Sequence, residues 1–164
     1  MSTPRVGQGF DVHRLVAGRP LHLGGVELEH TRGLEGHSDG DCVLHAVCDA
    51  LLGAIGEGDM GRHFPSRDAR WRGAPRRVFV EEVSRLVAAG GFRLGNLDVT
   101  VIAQEPVLAP HLEAMRAAIA ALLRVGADSV SVKAKSADHL GALGRGEGIA
   151  AFATVLLVKE ASTE

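Results

Sequence analysis

Residues 149–158 form an almost wholly apolar run. The run is too short to cross a bilayer as a helix, which takes about 20 apolar residues. It reads as a strand buried on both faces. A strand buried on both faces needs other elements to cover it, and the chain supplies strands and helices. Residues 5–13 read as a first strand, and residues 21–28 as a second, broken by Gly24 and Gly25. Residues 96–104 alternate, with Leu97, Val99 and Val101 on one side, and residues 130–135 read as a further strand. Between them lie helix-period segments. Residues 39–54 carry Val43, Ala46, Val47, Ala50, Leu51 and Ala54 as one apolar stripe. A second helix starts at Pro75 and is closed by Gly90-Gly91, and a third runs from Pro110 to Val125 with Gly126 as its stop. Residues 56–74 read as a loop and 141–148 as a glycine-rich turn. The alternation predicts a mixed α/β (α+β) fold: a single-domain two-layer sandwich with helices on one face of a mixed sheet. The chain has 164 residues. That length fits one catalytic domain over residues 1–160, with a frayed tail over 161–164.

Composition narrows the function. Hydrophobic residues make up 46% of the chain and aromatics only 4%, so the core is aliphatic. A net charge of −2 gives no drive toward nucleic acid or an anionic membrane surface. Cys42 and Cys48 are spaced to point to different faces of one helix, so they do not bridge or form a zinc finger. They read as reduced core residues of a cytoplasmic protein. The short polar start predicts no leader, and no membrane span is expected.

The chemistry-bearing residues gather near the first strand and first helix. Asp11 and His13 sit at i and i+2 on a strand, so their side chains share a face roughly 6.6 Å apart along it. Asp41, His45 and Asp49 recur at helical spacing, opposite the apolar stripe. His45 on that face can turn to a metal while Asp49 orients its other ring nitrogen. Two histidines and a carboxylate leave a fourth tetrahedral position open, the pattern of a catalytic zinc site. Such pairs and stripes are also common on plain solvated surfaces, and His37 competes as a ligand, so spacing alone does not decide. Ser38, Asp39 and Gly40 before the helix are ordinary capping residues, yet the same free N–H groups with Ser38 suit a phosphate. The glycine-rich turn lacks the Lys-Ser/Thr of a Walker loop and precedes a strand. With Lys133, Lys135, Ser136 and Arg145 it suits a diphosphate, and Asp138 among them suits a harder second metal. Arg62, Arg67, Arg70, Arg72, Arg76 and Arg77 form a basic run, read as a solvated segment or as a lid over an anionic substrate.

Taken in order, the motifs resemble the 2-C-methyl-D-erythritol 2,4-cyclodiphosphate synthase family. They are Gly9-Phe10-Asp11-Val12-His13, His37-Ser38-Asp39-Gly40-Asp41, Leu44-His45-Ala46, Asp49-Ala50-Leu51-Leu52-Gly53-Ala54, Gly58-Asp59-Met60-Gly61 and His63-Phe64-Pro65. Ile102-Ala103-Gln104 with Pro106 and Leu108, then Gly144-Arg145-Gly146-Glu147-Gly148-Ile149-Ala150, complete the series across nearly the whole chain. The resemblance implies an enzyme of the non-mevalonate isoprenoid pathway, a metal-dependent phosphorus–oxygen lyase. It cyclises 4-diphosphocytidyl-2-C-methyl-D-erythritol 2-phosphate and releases CMP. It implies a homotrimer around a sheet-lined core, with active sites between subunits. It also implies zinc or another divalent cation on Asp11, His13 and His45, and Mg or Mn with the diphosphate, toward Asp138. His37 and Ser136 fall on transition-state stabilisers. Asp59, Gly61, Phe64, Pro65 and Asp68 fall on methylerythritol and phosphate contacts. Ala103, Pro106, Val107 and Leu108 fall on the cytidine pocket, and Arg145 on a phosphate contact. The chain departs from the family's Thr-Thr-x-Glu run at Lys135-Ser136-Ala137-Asp138. Lys135 there adds a cation able to grip phosphate, and Asp138 is one methylene shorter than Glu. The competing readings are a zinc-dependent phosphohydrolase of small phosphate esters and a non-enzymatic carrier with a structural zinc. The second lacks an obvious fourth protein ligand.

Overall fold

A computed structural model describes residues 3–36, 38–71 and 73–160. The tail at 161–164, His37 and Arg72 lie outside the described residues. The strands are β1 (Arg5–Ala17), β2 (Leu21–Leu23), β3 (Val26–Leu28), β4 (Arg32–Leu34), β5 (Phe92–Ile102), β6 (Val130–Lys135) and β7 (Gly148–Lys159). The helices are α1 (Cys42–Ile55), α2 (Met60–His63), α3 (Arg76–Ala89), α4 (Leu112–Leu123) and α5 (Gly141–Gly144). Five strands form one sheet in the order β4-β1-β7-β5-β6, and the apolar run at 149–158 is its middle strand. Every neighbouring pair is antiparallel except β5 and β6, which makes the sheet mixed. The expected mixed α/β sandwich is the observed one.

The central strand corrects one expectation. Only Gly148 to Ala151 are buried without a break, and beyond them buried and exposed residues alternate. The helices cover one face, and the other stays open. Register rows show which residues share the open face: Phe10, Phe152, Thr100 and Lys133 form one row, and Val12, Ala150, Ile102 and Lys135 the next. Val6 (67% exposed), Phe10 (50%), Val12 (49%) and Phe152 (37%) make this face apolar as well as open.

Several boundaries also moved. Residues 21–28 are two short strands joined by a tight turn with Gly24 at φ 59° and Gly25 at φ 82°, positions that favour glycine. β1 runs on to Ala17 and pairs with β4, which the sequence pattern did not reveal. The loop at 56–74 contains α2 and a 3₁₀ turn, Ala69–Trp71. The glycine-rich turn contains α5. α4 starts after a 3₁₀ turn at Ala109–His111 and stops before Gly126, because Arg124 itself takes the left-handed cap at φ 57°.

α1 is the element that places the site. Asp41 caps it, accepting from the Leu44 N–H at 3.1 Å. The same carboxylate accepts from the Gly24 and Gly25 N–H groups at 2.9 and 2.8 Å. It therefore ties the β2–β3 turn to the helix start and is fully buried, which corrects its expected place on the polar face. Along its length α1 lies directly on β1. A Cβ on Gly7 would sit 1.9 Å from the Ala50 carbonyl oxygen, and one on Gly9 would sit 1.9 Å from that of Ala46. Only hydrogen at these two positions allows the helix backbone to come so near the strand. Cys42 and Cys48 are free and buried, and burial pushes both thiols up in pKa. Among the described residues no helix is long and apolar enough to cross a membrane.

Candidate metal centre

Asp11 and His13 project from the helix-covered face of β1, two residues apart, as the alternation of a strand requires. α1 brings His45 down onto them. Asp11 Oδ2 lies 2.8 Å from His13 Nε2 and 3.1 Å from His45 Nδ1, and the two ring nitrogens are 3.4 Å apart. The other nitrogen of His13, Nδ1, is 2.5 Å from the Glu35 carbonyl oxygen. A carbonyl only accepts, so Nδ1 carries the proton and Nε2 offers its lone pair to the cluster. In the tautomer that leaves His45 Nδ1 unprotonated, three lone-pair atoms converge on one point where a metal ion can be held. The donor set fits a metal. Corners of a tetrahedron around zinc, with bonds near 2.0–2.1 Å, stand roughly 3.3 Å apart. The three atoms all lie within 4.8 Å of one another.

The electrostatics agree with that geometry. Burial pushes the Asp11 carboxyl up, but hydrogen bonds and charge from His13 and His45 outweigh it and hold the group well below the usual carboxylate range. His13 is raised by its hydrogen bond to Asp11, against the effect of burial. Asp49 is raised chiefly by burial, with the charges of Asp59 and Asp11 adding to it. Asp49 does not orient His45 as expected. Its Oδ1 accepts from the Met60 N–H at 2.8 Å and so fixes the start of α2 instead.

The three donors lie in the wall of a cavity of about 480 Å³. Of the residues singled out in the sequence, Ser38, Asp49, Asp59, Gly61 and Phe64 share this cavity with Asp11, His13 and His45. Asp59 also caps α2, accepting from the Arg62 N–H at 3.0 Å. The remaining wall is Gly36, Met60, Ser66, Trp71 and Phe79. Phe64 stacks edge-on against Trp71 and Phe79, with ring centres 4.9 and 5.0 Å away. Sequence reasoning missed this aromatic wall because its members come from a loop and a helix with no common period. Pro65 and Asp68 do not line the cavity; Asp68 pairs with exposed Arg70. In the basic run, Arg76 pairs with Asp39 at 2.9 Å and Arg77 with Glu81 at 3.3 Å, so with Arg70 three of its five described arginines are already partnered. His37 lies outside the described residues.

A second group sits elsewhere on the chain. Ala103, Pro106, Val107 and Leu108 follow β5, and Lys135, Ser136 and Asp138 end or follow β6, the two parallel strands. None of them lines the cavity. Three strand spacings, roughly 14 Å, separate the β1 and β6 ends of the row through Val12 and Lys135. Lys135 lies on the open face of the sheet, opposite Asp11 and His13. The Ala103 N–H donates to the Lys135 carbonyl at 3.0 Å, and the Asp138 N–H to Ser136 Oγ at 3.3 Å. Lys133 pairs with Asp98, and Arg145 pairs with Glu147 at 2.6 Å, so neither cation is held in a shared anion cradle.

Comparison with known proteins gives concordant results. Residues 4–158 match the model of the YgbB family. The chain is 56% identical over 158 residues to a 2-C-methyl-D-erythritol 2,4-cyclodiphosphate synthase of Burkholderia mallei (strain SAVP1), covering 96% of this chain and 98% of that protein. It is 53% identical over 156 residues to a bifunctional enzyme IspD/IspF of Erythrobacter litoralis (strain HTCC2594), covering 95% of this chain but spanning only 40% of that longer protein. A solved 2C-methyl-D-erythritol-2,4-cyclodiphosphate synthase in a CDP-bound form superposes with a TM-score of 0.87 at 40% identity, covering 94% of this chain and all (100%) of the other.

Proposed function

The chain belongs to the YgbB family, and on that premise we propose that it cyclises 4-diphosphocytidyl-2-C-methyl-D-erythritol 2-phosphate to 2-C-methyl-D-erythritol 2,4-cyclodiphosphate. This is a metal-dependent lyase step of isoprenoid biosynthesis. The observation that carries the reading is the Asp11, His13 and His45 cluster in the wall of a cavity sized for a small molecule, in a chain matched end to end by relatives with that activity. An oxygen of the 2-phosphate attacks the β-phosphorus of the diphosphate. A new P–O–P bond forms, the bond from the β-phosphorus to the bridging oxygen breaks, and CMP leaves with its electron pair. No water is consumed and no proton must be moved.

The barrier is largely positional, because a dianionic phosphate has to be folded onto an anionic diphosphate. Holding both ends in one pocket supplies up to about 7–11 kcal/mol in well-oriented systems. Asp11, His13 and His45 would hold the divalent ion, which we take to be zinc, and Asp138 would hold a Mg or Mn ion for the diphosphate. Such ions withdraw charge from phosphoryl oxygens and offset the repulsion. The Glu35 carbonyl keeps His13 in the tautomer that can bind. Phe64, Trp71 and Phe79 exclude water from the reacting groups. Ser38, Asp59 and Gly61 contact the methylerythritol and phosphate groups. His37 and Ser136 donate hydrogen bonds to the departing phosphate.

Ser136, Asp138 and the cytidine-contacting residues Ala103, Pro106, Val107 and Leu108 reach the cavity from a neighbouring subunit. Two features support that arrangement: the strand spacings that part the two groups within one chain, and the apolar open face, which suits burial against other copies in a homotrimer. The buried reduced cysteines support a cytoplasmic location. Incubation of the protein with the cytidyl substrate and Mg²⁺, followed by phosphorus NMR, should yield CMP and a cyclic diphosphate. His45→Ala should abolish both products while preserving the fold. Inorganic phosphate as the product, or full turnover by metal-free His45→Ala, would overturn the assignment.

A further inference from the structure

The turn after β6 takes a backbone conformation that is uncommon outside glycine. Asp138 (φ 52°) and His139 (φ 59°) are consecutive non-glycine residues in the left-handed region. Such a pair persists only where its surroundings over-determine it, and it is common where a ligand site is preorganised. Two features clamp the turn. α5 packs on it backbone to backbone: a Cβ on Gly144 would lie 2.2 Å from the His139 carbonyl carbon. On the other side, the Gln104 Oε1 accepts the His139 N–H at 3.0 Å. Gln104 stands in the segment that follows β5, half-buried between Ala103 and the exposed Glu105. The hydrogen bond therefore joins the loop after β5 to the loop after β6. These are the carboxyl ends of the only parallel strand pair among the described residues.

We propose that Gln104 is a positioning residue for the nucleotide: its side-chain oxygen fixes the Ser136–Asp138 turn against the Ala103–Leu108 segment, so that both halves of the cytidine diphosphate subsite are set before substrate arrives. The inference rests on the proposed cyclase reading. It asks only for an acceptor at this position. Gln104→Leu removes the acceptor at nearly constant size, and Gln104→Glu keeps an oxygen for the His139 N–H.

In Gln104→Leu the His139 amide should lose its protection from hydrogen exchange. The Kd for CDP and the KM for the cytidyl substrate should rise by about tenfold, the worth of one hydrogen bond at the upper end of its range. kcat should fall as well, by up to about tenfold, because Ser136 stands in the turn that loosens, and metal bound at Asp11, His13 and His45 should be unchanged. At 0.5 M salt, which screens the added charge, Gln104→Glu should recover the protection and most of the CDP affinity. Wild-type CDP affinity in Gln104→Leu would overturn the proposal. So would a Gln104→Glu protein that recovers protection but not affinity, or a Gln104→Leu protein that loses bound metal and affinity together. Failure of the wild-type protein to release CMP would instead overturn the cyclase reading, while the exchange comparison would still decide whether Gln104 holds the turn.

Discussion

Gly9→Ala should empty the metal site without touching a ligand. Gly9 lies on β1 two residues before Asp11, on the same helix-covered face. A Cβ there would stand 1.9 Å from the Ala46 carbonyl oxygen, 2.8 Å from the Ala46 carbonyl carbon and 2.8 Å from the Ala50 nitrogen. All three are α1 backbone atoms, so no side-chain rotation relieves the clash and the helix itself must withdraw. Carbon-to-oxygen contacts settle near 3.3 Å, so α1 must retreat by about 1.4 Å at Ala46, the residue next to His45. Metal sites tolerate roughly 0.2 Å of ligand displacement. The retreat is several times that, and disturbing only the neighbours that orient a ligand already costs 10–100-fold in affinity. Metal affinity should therefore fall by more than about 100-fold, with a loss of about 1–3 kcal/mol in stability from overpacking. The assay is metal content after dialysis at fixed free zinc, read beside thermal melting and CMP release. Gly53→Ala is the control, because its Cβ would meet nothing nearer than the Gln8 carbonyl at 3.9 Å. It should be neutral or stabilising by up to about 1 kcal/mol, as helix propensity predicts. A Gly9→Ala protein with full metal content and wild-type activity would refute the idea that the strand–helix approach builds the site.

Asp41→Ala strands the N–H groups of Leu44, Gly24 and Gly25 and should cost about 2–4 kcal/mol in urea titrations, with Asp41→Asn recovering part of it. Asp49→Asn keeps an oxygen for the Met60 N–H and removes a charge whose pKa burial has raised. A raised acid opposes folding above its folded pKa, and that opposition vanishes below the unfolded value near 4. In chelator-treated protein, Asp49→Asn should therefore be the more stable form at neutral pH and lose its advantage on acidification; the reverse trend would contradict the raised pKa. Cys42 and Cys48 should react with a thiol reagent only at the rate at which the native state opens, because both thiols are buried and shifted upward. Rapid native-state labelling of either would contradict their burial.

Much of this was legible in the sequence because it is local. β6 falls at the residues expected of it, the stripe on α1 is the face that packs on β1, and the apolar run does form a strand. The i, i+2 spacing of Asp11 and His13 is a property of any strand, so their shared face needed no tertiary information. Motif order identified the family for the same reason, since order is a feature of the chain. Contacts between distant residues were not legible. Asp41 looked like a member of a polar helix face but is buried beneath the β2–β3 turn, and Asp49 looked like a partner for His45 but bonds to Met60. The Glu35 carbonyl that sets the His13 tautomer carries no side-chain signal at all. Whether a run is buried on both faces depends on what packs against it, and here the helices leave one face of the sheet open. Periodicity tells which way a side chain points, but not how near the next backbone will come. That distance was decided by Gly7 and Gly9, where only hydrogen lets α1 approach closely enough for His45 to meet Asp11 and His13.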